Sequence, residues 1–446
     1  ASDHAIIYGQ QRVGGVIFYR SVTNDQQYLH TLIALAGHEC EEIGTVYADN
    51  IALTLDGNNL VTNADFQIKD ADGNTVNSAL RIKKHLGTNN QPADTDLVSE
   101  DSAWTAQHQA KGVAYIYIRA EFDTSVFPQG LPTFSAIVKG KKVYDPRTTS
   151  TAWSSNAALC LRDYLISDYG LGVSQATEIN NTVFSAAANT CDENITLSAG
   201  GTEKRYTVDG SFVTSLPPDD VITDLVASMA GTIYYSQGQW GVKAGEFTSS
   251  VLALDEDDLR SNLQVNTRHS RRDNFNTVSG MFSGPDTDYQ PTDFPQIVSS
   301  TFVSVDGGET VVQDIPLPFT ATASRAQRIA KVALFRNREQ LTLSGTFGLR
   351  ALQLQIGDVV SLTNTRLGFS SKTFEVADWR FGFGTDQTLE VSLTLREISS
   401  AVYDWNAEET QFELNATTLP SATEVPTVGL GVDFDLRVVN QAAVGV

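Results

Sequence analysis

The chain has 446 residues, of which 41% are apolar and 19% charged, and 53 acidic residues against 31 basic ones give a formal net charge of −22. This length and apolar content exclude a disordered chain and favour about two to four packed units. The charge opposes wrapping of nucleic acid, because phosphate binding needs clustered Lys and Arg. No apolar run in the sequence approaches the roughly 18 residues needed to cross a bilayer.

Strand patterns dominate the first 150 residues. Residues 113–120 are rich in β-branched and aromatic side chains, which is typical of a half-buried strand. Residues 134–144 read as two strands that turn at Gly140. We therefore expect residues 1–150 to form a first β unit, with an inserted lobe at roughly 50–110.

A mixed α+β unit is predicted for residues 151–250. A serine pair after Trp153 is expected to cap a helix from Asn156 to Ile166, and Gly170 is expected to stop it in the left-handed conformation. Cys160 falls in this helical pattern among apolar residues and is predicted to be buried.

Two further elements are legible in the same unit. Pro217 and the acidic residues after it suit the first turn of a second helix, which Gly231 closes. A hairpin over residues 233–243 is predicted to turn at Gln237-Gly238.

Residues 251–400 are predicted to form strands around one helix, which runs from Ser324 to about Arg338. Residues 389–396 alternate apolar and polar side chains, as in a strand with one wet face. The helix has an apolar stripe, and its other face is expected to be solvated or to meet a partner; that face carries Arg325, Arg328, Lys331, Arg336 and Arg338. Residues 401–446 are expected to be a linker, centred on 419–427, and the start of a C-terminal extension.

The sequence patterns that resemble metal sites are better explained by ordinary structural roles. Residues 70–74 resemble the start of a calcium loop, but Thr75 and Arg81 stand where that loop needs Gly and Glu, so Asp72-Gly73 is predicted to be a hairpin turn. The acidic run 255–258 could hold a cation, although such runs more often form exposed turns. The three cysteines, which are widely spaced, predict neither disulfides nor a zinc site. No metal and no cofactor are expected.

Catalytic patterns are equally weak. His38 and Cys40 share one strand face but have no third orienting group in view. The basic clusters 139–142 and 268–272 are short and have acidic neighbours, which indicates an interface or a solvated face. Six scattered histidines supply no acid–base constellation. The chain is therefore predicted not to be an enzyme.

Three stretches carry a resemblance to a known family. Residues 140–147 read G-K-K-V-Y-D-P-R, residues 153–165 read W-S-S-N-A-A-L-C-L-R-D-Y-L, and residues 169–172 read Y-G-L-G. In this order they resemble the tip attachment, or host-specificity J, family of long-tailed phages, with Ala157 in place of the usual proline. Weaker similarities extend over roughly residues 6–400. The motif positions, for which a structural role is implied, are Tyr144, Asp145, Pro146, Arg147, Trp153, Asn156, Leu159, Tyr164, Leu165, Tyr169, Gly170 and Gly172.

The resemblance implies a mainly β fold with inserted α+β parts. Residues 1–150 and 251–400 would be two tail-tube-like β-barrels, and residues 151–250 a hub domain between them. Three subunits would then display six barrels, which matches a sixfold tube to a threefold tip.

A structural hub at the distal end of the virion tail is the function that the resemblance implies. Such a protein is made in the host cytoplasm, closes the tube, organises the tip or baseplate and takes part in host attachment and DNA ejection. The implied partners are its own copies as a homotrimer, distal tail and other tip proteins, the tape measure protein, tail fibres or a receptor-binding protein, and a host surface receptor. Genome DNA would pass through without specific binding.

Two alternatives remain open from the sequence. The same fold could bind a host receptor or glycan directly, for which the candidate contact residues are Tyr289, Phe294, Trp379 and Phe381. A wall-degrading enzyme would need a carboxylate pair in a cleft, and nothing in the sequence points to one.

Overall fold

The computed structural model describes residues 3–268, 270–384 and 388–412, and strands form most of its regular structure. Its α-helices, numbered in chain order, are α1 Thr95–Glu100, α2 Ala157–Ile166, α3 Asn181–Cys191, α4 Pro218–Ala227, α5 Ser300–Val305 and α6 Ala323–Arg338. Within these described residues, none of the helices is both long and apolar enough to span a membrane.

Two sheets in the first part of the chain enclose one hydrophobic core. The four-stranded sheet has the spatial order Val16–Thr23, Tyr28–Ala36, Ala114–Glu121 and Leu80–Leu86. The five-stranded sheet contains Ser150–Trp153, Phe134–Asp145, Cys40–Ala48 and Ile51–Ala52, with Gln10–Val13 also paired to Phe134–Asp145. Alternate side chains of both sheets meet in this core, among them Ile116 and Val138. On the opposite face of the four-stranded sheet, Leu97 of α1 packs with Tyr115 and Tyr117.

Phe134–Asp145 is one continuous strand, so the turn predicted at Gly140 is wrong. The N-terminal strand Ala5–Tyr8 approaches closely at this point, and a Cβ on Gly140 would lie 2.0 Å from the carbonyl oxygen of Ile7. Gly140 therefore permits a backbone contact instead of a reversal of direction.

Three short hairpins complete the simple pairings. They are Gln67–Lys69 with Thr75–Ser78, Asn194–Thr196 with Thr202–Lys204, and Thr232–Ser236 with Gln239–Lys243. The first confirms the turn at Asp72-Gly73. The third confirms the turn at Gln237-Gly238, where both residues have positive φ, as a tight hairpin turn requires.

The central core joins α2, α3, α4 and α6 to the small sheet around Thr277–Phe282. In that sheet, Thr277–Phe282 pairs with Thr292–Asp293, Ile297–Val298 and Val312–Pro316, the last in parallel. Ala5–Tyr8 reaches the same core by pairing with Gly210–Val213. Cys160 lies fully buried in it, as predicted.

The start and stop of α2 differ from the expectation. The Asn156 side chain, and not a serine, accepts the bonds from the N–H groups of Ala158 and Leu159. The helix ends at Ile166, and Gly170 does not have positive φ. Gly170 is small for another reason, since a Cβ there would lie 1.9 Å from the carbonyl oxygen of Tyr164.

Helix α6 contradicts the prediction of a solvated or partner-facing basic side. Arg325 and Arg328 pair with Glu203 and are only 5% and 2% exposed. The remaining basic residues of the helix also form ion pairs: Lys331 with Glu408, Arg336 with Glu375, and Arg338 with Asp306. A long basic side chain can be buried where carboxylates of other elements meet it, and the sequence of the helix alone does not show those carboxylates.

A six-stranded sheet has its own core. Its spatial order is Leu252–Leu254, Val359–Asn364, Phe369–Phe383, Leu389–Glu397, Thr342–Phe347 and Gln264–Asn266. The strand predicted at 389–396 is confirmed. Residues 275–338, which the sequence groups with these strands, pack instead in the central core.

The predicted linker around 419–427 and the C-terminal extension lie within residues 413–446, outside the described residues.

Candidate functional site

The turn at residues 144–147 is fixed by its own charges. Arg147 donates to both carboxylate oxygens of Asp145 and also to Asp192, 2.9 Å away. Burial raises the pKa of the Asp145 carboxyl, but the bonds from Arg147 outweigh this and hold the pKa below its ordinary value. Pro146 lies between the two partners, so the turn has a preset φ and a bidentate clamp.

Behind the turn, a buried polar network joins the N-terminal strand, the long strand and α2. Asp163 accepts bonds from Tyr8 Oη at 2.6 Å and from Lys141 Nζ at 2.8 Å. Lys141 also donates to the hydroxyl of Tyr169 at 2.8 Å. The sequence motif contains Tyr169, but Tyr8, Lys141 and Asp163 were not predicted as its partners. Tyr8 lies 155 positions from Asp163 and Lys141 lies 22 positions from it, so neither contact follows from a local sequence pattern.

The remaining motif residues pack or cap. Leu159, Tyr164 and Leu165 are buried in the central core, and Asn156 caps α2 while donating to the carbonyl of Ala188. The Tyr144 ring lies 5.0 Å from the Arg162 guanidinium. Trp153 is half-buried and donates through Nε1 to Gly9 O, and Gly172 takes φ of +63°. The motif region therefore acts as a structural junction.

His38 and Cys40 have structural surroundings. His38 Nε2 accepts the backbone N–H of Ile7 at 3.0 Å, and its Nδ1 lies 2.8 Å from the carbonyl oxygen of Glu39. Burial raises the pKa of the Cys40 thiol to about 12, with a smaller contribution from Glu39. A thiol of that pKa stays protonated at neutral pH, which does not suit a nucleophile.

His38 predicts a pH-dependent stability. Burial lowers its pKa from 6.5, so the unfolded chain binds the proton first and the stability contribution is fully present above about pH 6.5 and decreases below it. We expect the melting temperature of the wild type to decrease as the pH is lowered from 7 to 5. His38→Gln is expected to make this decrease smaller. Thermal unfolding at several pH values measures both. His108→Gln, at an exposed histidine, is the control, and an equal slope in wild type and His38→Gln would contradict the prediction.

The acidic run 255–258 makes its contacts with other residues of the chain. Glu256–Asp258 forms a short 3-10 helix, where Asp258 pairs with Arg350 and Glu256 accepts from Thr365. The basic cluster 139–142 pairs with Glu42, Asp163 and Glu39, whereas His269 of the second cluster lies outside the described residues. In the described part of the chain, no three His, Cys, Asp or Glu side chains are placed to hold a metal ion.

A lobe covers the outer face of the four-stranded sheet and begins and ends at Gly87 and Gly112, both with positive φ. Gln91 closes its neck by accepting from Gly87 N and donating to Ala110 O. Carboxylates on and beside α1 fasten the lobe to the edge strand Leu80–Leu86 and its neighbour. The ion pairs are Arg81 with Glu100, Lys83 with Asp96 and Arg119 with Glu100, and His85 forms a hydrogen bond with Asp94.

The opposite edge of that sheet is open. Val16–Thr23 pairs with Tyr28–Ala36 on one side and has no strand partner on the other side among the described residues. Val16, Ile17, Phe18 and Val22 are 42–54% exposed. Unpaired N–H and C=O groups beside exposed apolar side chains are a template for association.

Comparisons with known proteins show similarity to phage tail proteins. The family described as "Putative phage tail protein" matches residues 217–379. The "Tip attachment protein J" of Escherichia phage SECphi27 is 24% identical over 287 residues, which make up 58% of this chain. These two matches support a phage tail tip protein family for the chain.

The match covers 23% of the SECphi27 protein, so this chain spans about a quarter of that relative's length. Among solved structures, a chain of the "Virion of native gene transfer agent (GTA) particle" shares the fold, with a TM-score of 0.61 and 14% identity over 92% of this chain and 88% of that one. The tail protein of Neisseria meningitidis MC58 has a TM-score of 0.35 and 11% identity over 89% of this chain and 96% of that one, which supports no inference. Together these similarities support a structural role in a phage tail.

The candidate contact aromatics of this chain divide into two groups. Phe294 is 2% exposed and Tyr289 is 8% exposed, with its hydroxyl accepting a bond from Gln10, so neither ring is available to a receptor. Trp379 is half-buried and donates to the carbonyl of Ala351. Phe381 is 45% exposed, and its neighbour Phe383, which the sequence analysis missed, is 76% exposed. The strand alternation 379, 381, 383 was the available signal, because it places all three on one face.

Proposed function

We propose that the chain is a hub subunit that closes the distal tail tube and organises the tail tip. The observation that carries this proposal is the presence of two sheet regions with separate cores, joined through a third core in one chain. We take them as two tube-like β-barrels, one within residues 1–150 with an insertion at roughly 50–110 that includes most of the lobe, and the other within 251–400 without residues 275–338. Residues 151–250 would be the hub domain, and 401–446 the linker and the start of an extension.

The proposed assembly is a homotrimer. Three copies with two barrel-like units each would present six to the tail tube. The free edge of Val16–Thr23 supports association, because an exposed apolar edge strand is a hazard in a monomer and is used when a ring closes. The solved relative in a virion particle and the name of the tip attachment relative are consistent with this role.

The proposed partners are distal tail and other tip proteins, the tape measure protein, and tail fibres or a receptor-binding protein. The net charge of −22 suits a wall past which genome DNA moves without binding, because like charges repel and no counterions are released. The protein would be made in the host cytoplasm, join the virion tail and take part in attachment and DNA ejection. No catalytic role is proposed.

Sedimentation velocity and native mass spectrometry of the purified chain test the trimer. The proposal predicts a species of three times the monomer mass that persists on dilution to micromolar concentration. A monomer at every concentration, or a stable dimer, would overturn the trimeric assembly.

Direct binding of a host receptor or glycan is the second candidate function. The exposed rings of Phe381 and Phe383 favour it, because exposed aromatic pairs are frequent in recognition surfaces. Competition tests it: purified chain added in excess should reduce adsorption of tailed particles to host cells, and Phe381→Ser/Phe383→Ser chain should not. Undiminished adsorption in the presence of the wild-type chain would exclude this function.

A further inference from the structure

The hairpin made by Phe369–Phe383 and Leu389–Glu397 carries an apolar face beyond its own core. Trp379 pairs across the hairpin with Leu393, which is 2% exposed, so this part belongs to the core. Farther along the same face, Phe383 lies opposite Leu389, and these residues are 76% and 41% exposed. The rings of Phe381 and Phe383 are 6.3 Å apart. We call Phe381, Phe383 and Leu389 the apolar tip.

An apolar groove lies in the N-terminal part of the chain, among residues 3–113. It has a volume of about 590 Å³ and runs between the open edge strand and the lobe. Its principal lining side chains are Val16, Ile17, Phe18, Trp104, Ala110 and Val113. Trp104 lines the groove, and its indole N–H is buried and has no acceptor within the described residues, which is costly.

We propose that the apolar tip of one copy of this chain binds in the groove of the next copy. The proposal rests on the hub function above and names the contact through which neighbouring subunits recognise each other. Tip and groove are different surfaces of one chain, so the contact is heterologous and repeats from copy to copy until the ring closes.

Charge favours a second copy as the occupant. Two chains of net charge −22 repel each other, so their contact has to be locally uncharged or complementary. The three side chains of the tip are apolar, and Asp3 is the sole Asp, Glu, Lys or Arg side chain among the residues that line the groove. Tip and groove therefore meet with little charge to desolvate.

The tip supplies part of the area that a stable interface needs. An aromatic ring buries at most about 150–250 Å², and both rings of the tip are already partly covered within the chain, so the tip covers less than half of the about 800 Å² per partner. The adjoining edge strand, with Val22 54% exposed, supplies further area beside the groove. An apolar anchor inside a pocket with a strand edge at its rim is a common arrangement of binding hot spots.

Cysteine cross-linking tests the contact directly. The native cysteines Cys40, Cys160 and Cys191 are all buried, so introduced surface thiols react selectively with a short bis-maleimide. Chains carrying Ile17→Cys and chains carrying Phe383→Cys, with tags of different size, are co-expressed and treated together. A covalent heterodimer of the two tagged chains is expected. Val305→Cys, at a site 76% exposed on α5, replaces Phe383→Cys in the control and is expected to give none.

A second variant keeps the test independent of thiol chemistry. Phe381→Ser/Phe383→Ser removes only exposed rings, and it should weaken self-association by about ten-fold or more per ring with an unchanged melting temperature. Absence of the heterodimer, or dimers formed only between two Phe383→Cys chains, would overturn the proposal. Unchanged self-association combined with lost adsorption to host cells would identify a receptor as the occupant and would also overturn it. If the trimer persists in either case, the proposed contact is rejected and the proposed hub function is not.

Discussion

Replacing Glu203 with Gln is expected to lower the free energy of unfolding by about 3–5 kcal/mol, because it leaves two buried guanidinium groups without their counter-charge. Glu203 lies 2.7 Å from Arg328 and 3.3 Å from Arg325, and its own side chain is 12% exposed. It also accepts bonds from the hydroxyls of Thr322 and Ser324 at the start of α6. One carboxylate therefore ties the hairpin at 194–204 to the helix.

Denaturant unfolding of wild type and Glu203→Gln, followed by far-ultraviolet circular dichroism, measures this change. The matched control is Glu193→Gln, which breaks the ion pair with Arg205 at a carboxylate 47% exposed, and there we expect a change of about 0–1 kcal/mol. If both variants unfold at the same denaturant concentration, Glu203 is not a buried counter-ion.

The acid dependence of the same pair has a defined sign. Burial raises the pKa of Glu203, but Arg325 and Arg328 outweigh it and hold the pKa below its ordinary value of about 4.5. A depressed pKa contributes stability that is present above about pH 4.5 and is lost as the pH falls further. Glu203→Gln should therefore lose less stability than the wild type between pH 5 and pH 3.

Gly170→Ala is expected to destabilise the chain by about 3 kcal/mol or more, since overpacking against backbone cannot be relieved by a rotamer change. The added Cβ would lie 1.9 Å from the carbonyl oxygen of Tyr164. The segment after α2 would have to move, and with it the bond from Val173 N to Leu165 O.

The control for this substitution is Gly57→Ala, where no atom lies within 4 Å of the new Cβ and φ is not positive. Differential scanning calorimetry compares the two variants with the wild type. The expected order is a large decrease of the melting temperature for Gly170→Ala and almost none for Gly57→Ala. A wild-type melting temperature for Gly170→Ala would contradict the contact.

Gly170 illustrates what sequence patterns can and cannot predict. The motif places a glycine after α2, but the left-handed stop predicted for it is absent, and the structure instead shows close approach of Tyr164 O at this position. Strands and hairpins with strong local alternation, such as Leu389–Glu397, were predicted because their signal is local. The single strand through Gly140 was missed, since the reason for its glycine is Ile7, more than 130 positions away.

The charged contacts of helix α6 could not be predicted from its local sequence. Its amphipathic pattern located the helix, but the basic face was assigned to solvent because Glu203, Glu375 and Glu408 come from other elements. Long-range pairing of this kind is invisible to periodicity. For the contact aromatics, alternation could identify a shared face but not which part of it extends beyond the core, so Phe294 was included and Phe383 missed.

Gold-labelled antibody imaging of tailed particles from the source culture tests the hub assignment most directly. An antibody raised against the purified chain is applied to intact particles and to particles opened at the tip, and a second antibody against a major tube protein serves as the positional control. If the chain is a hub subunit, the label is confined to the distal end of the tail. Label along the tube, or abundant free protein with no label on accessible tips, would contradict it.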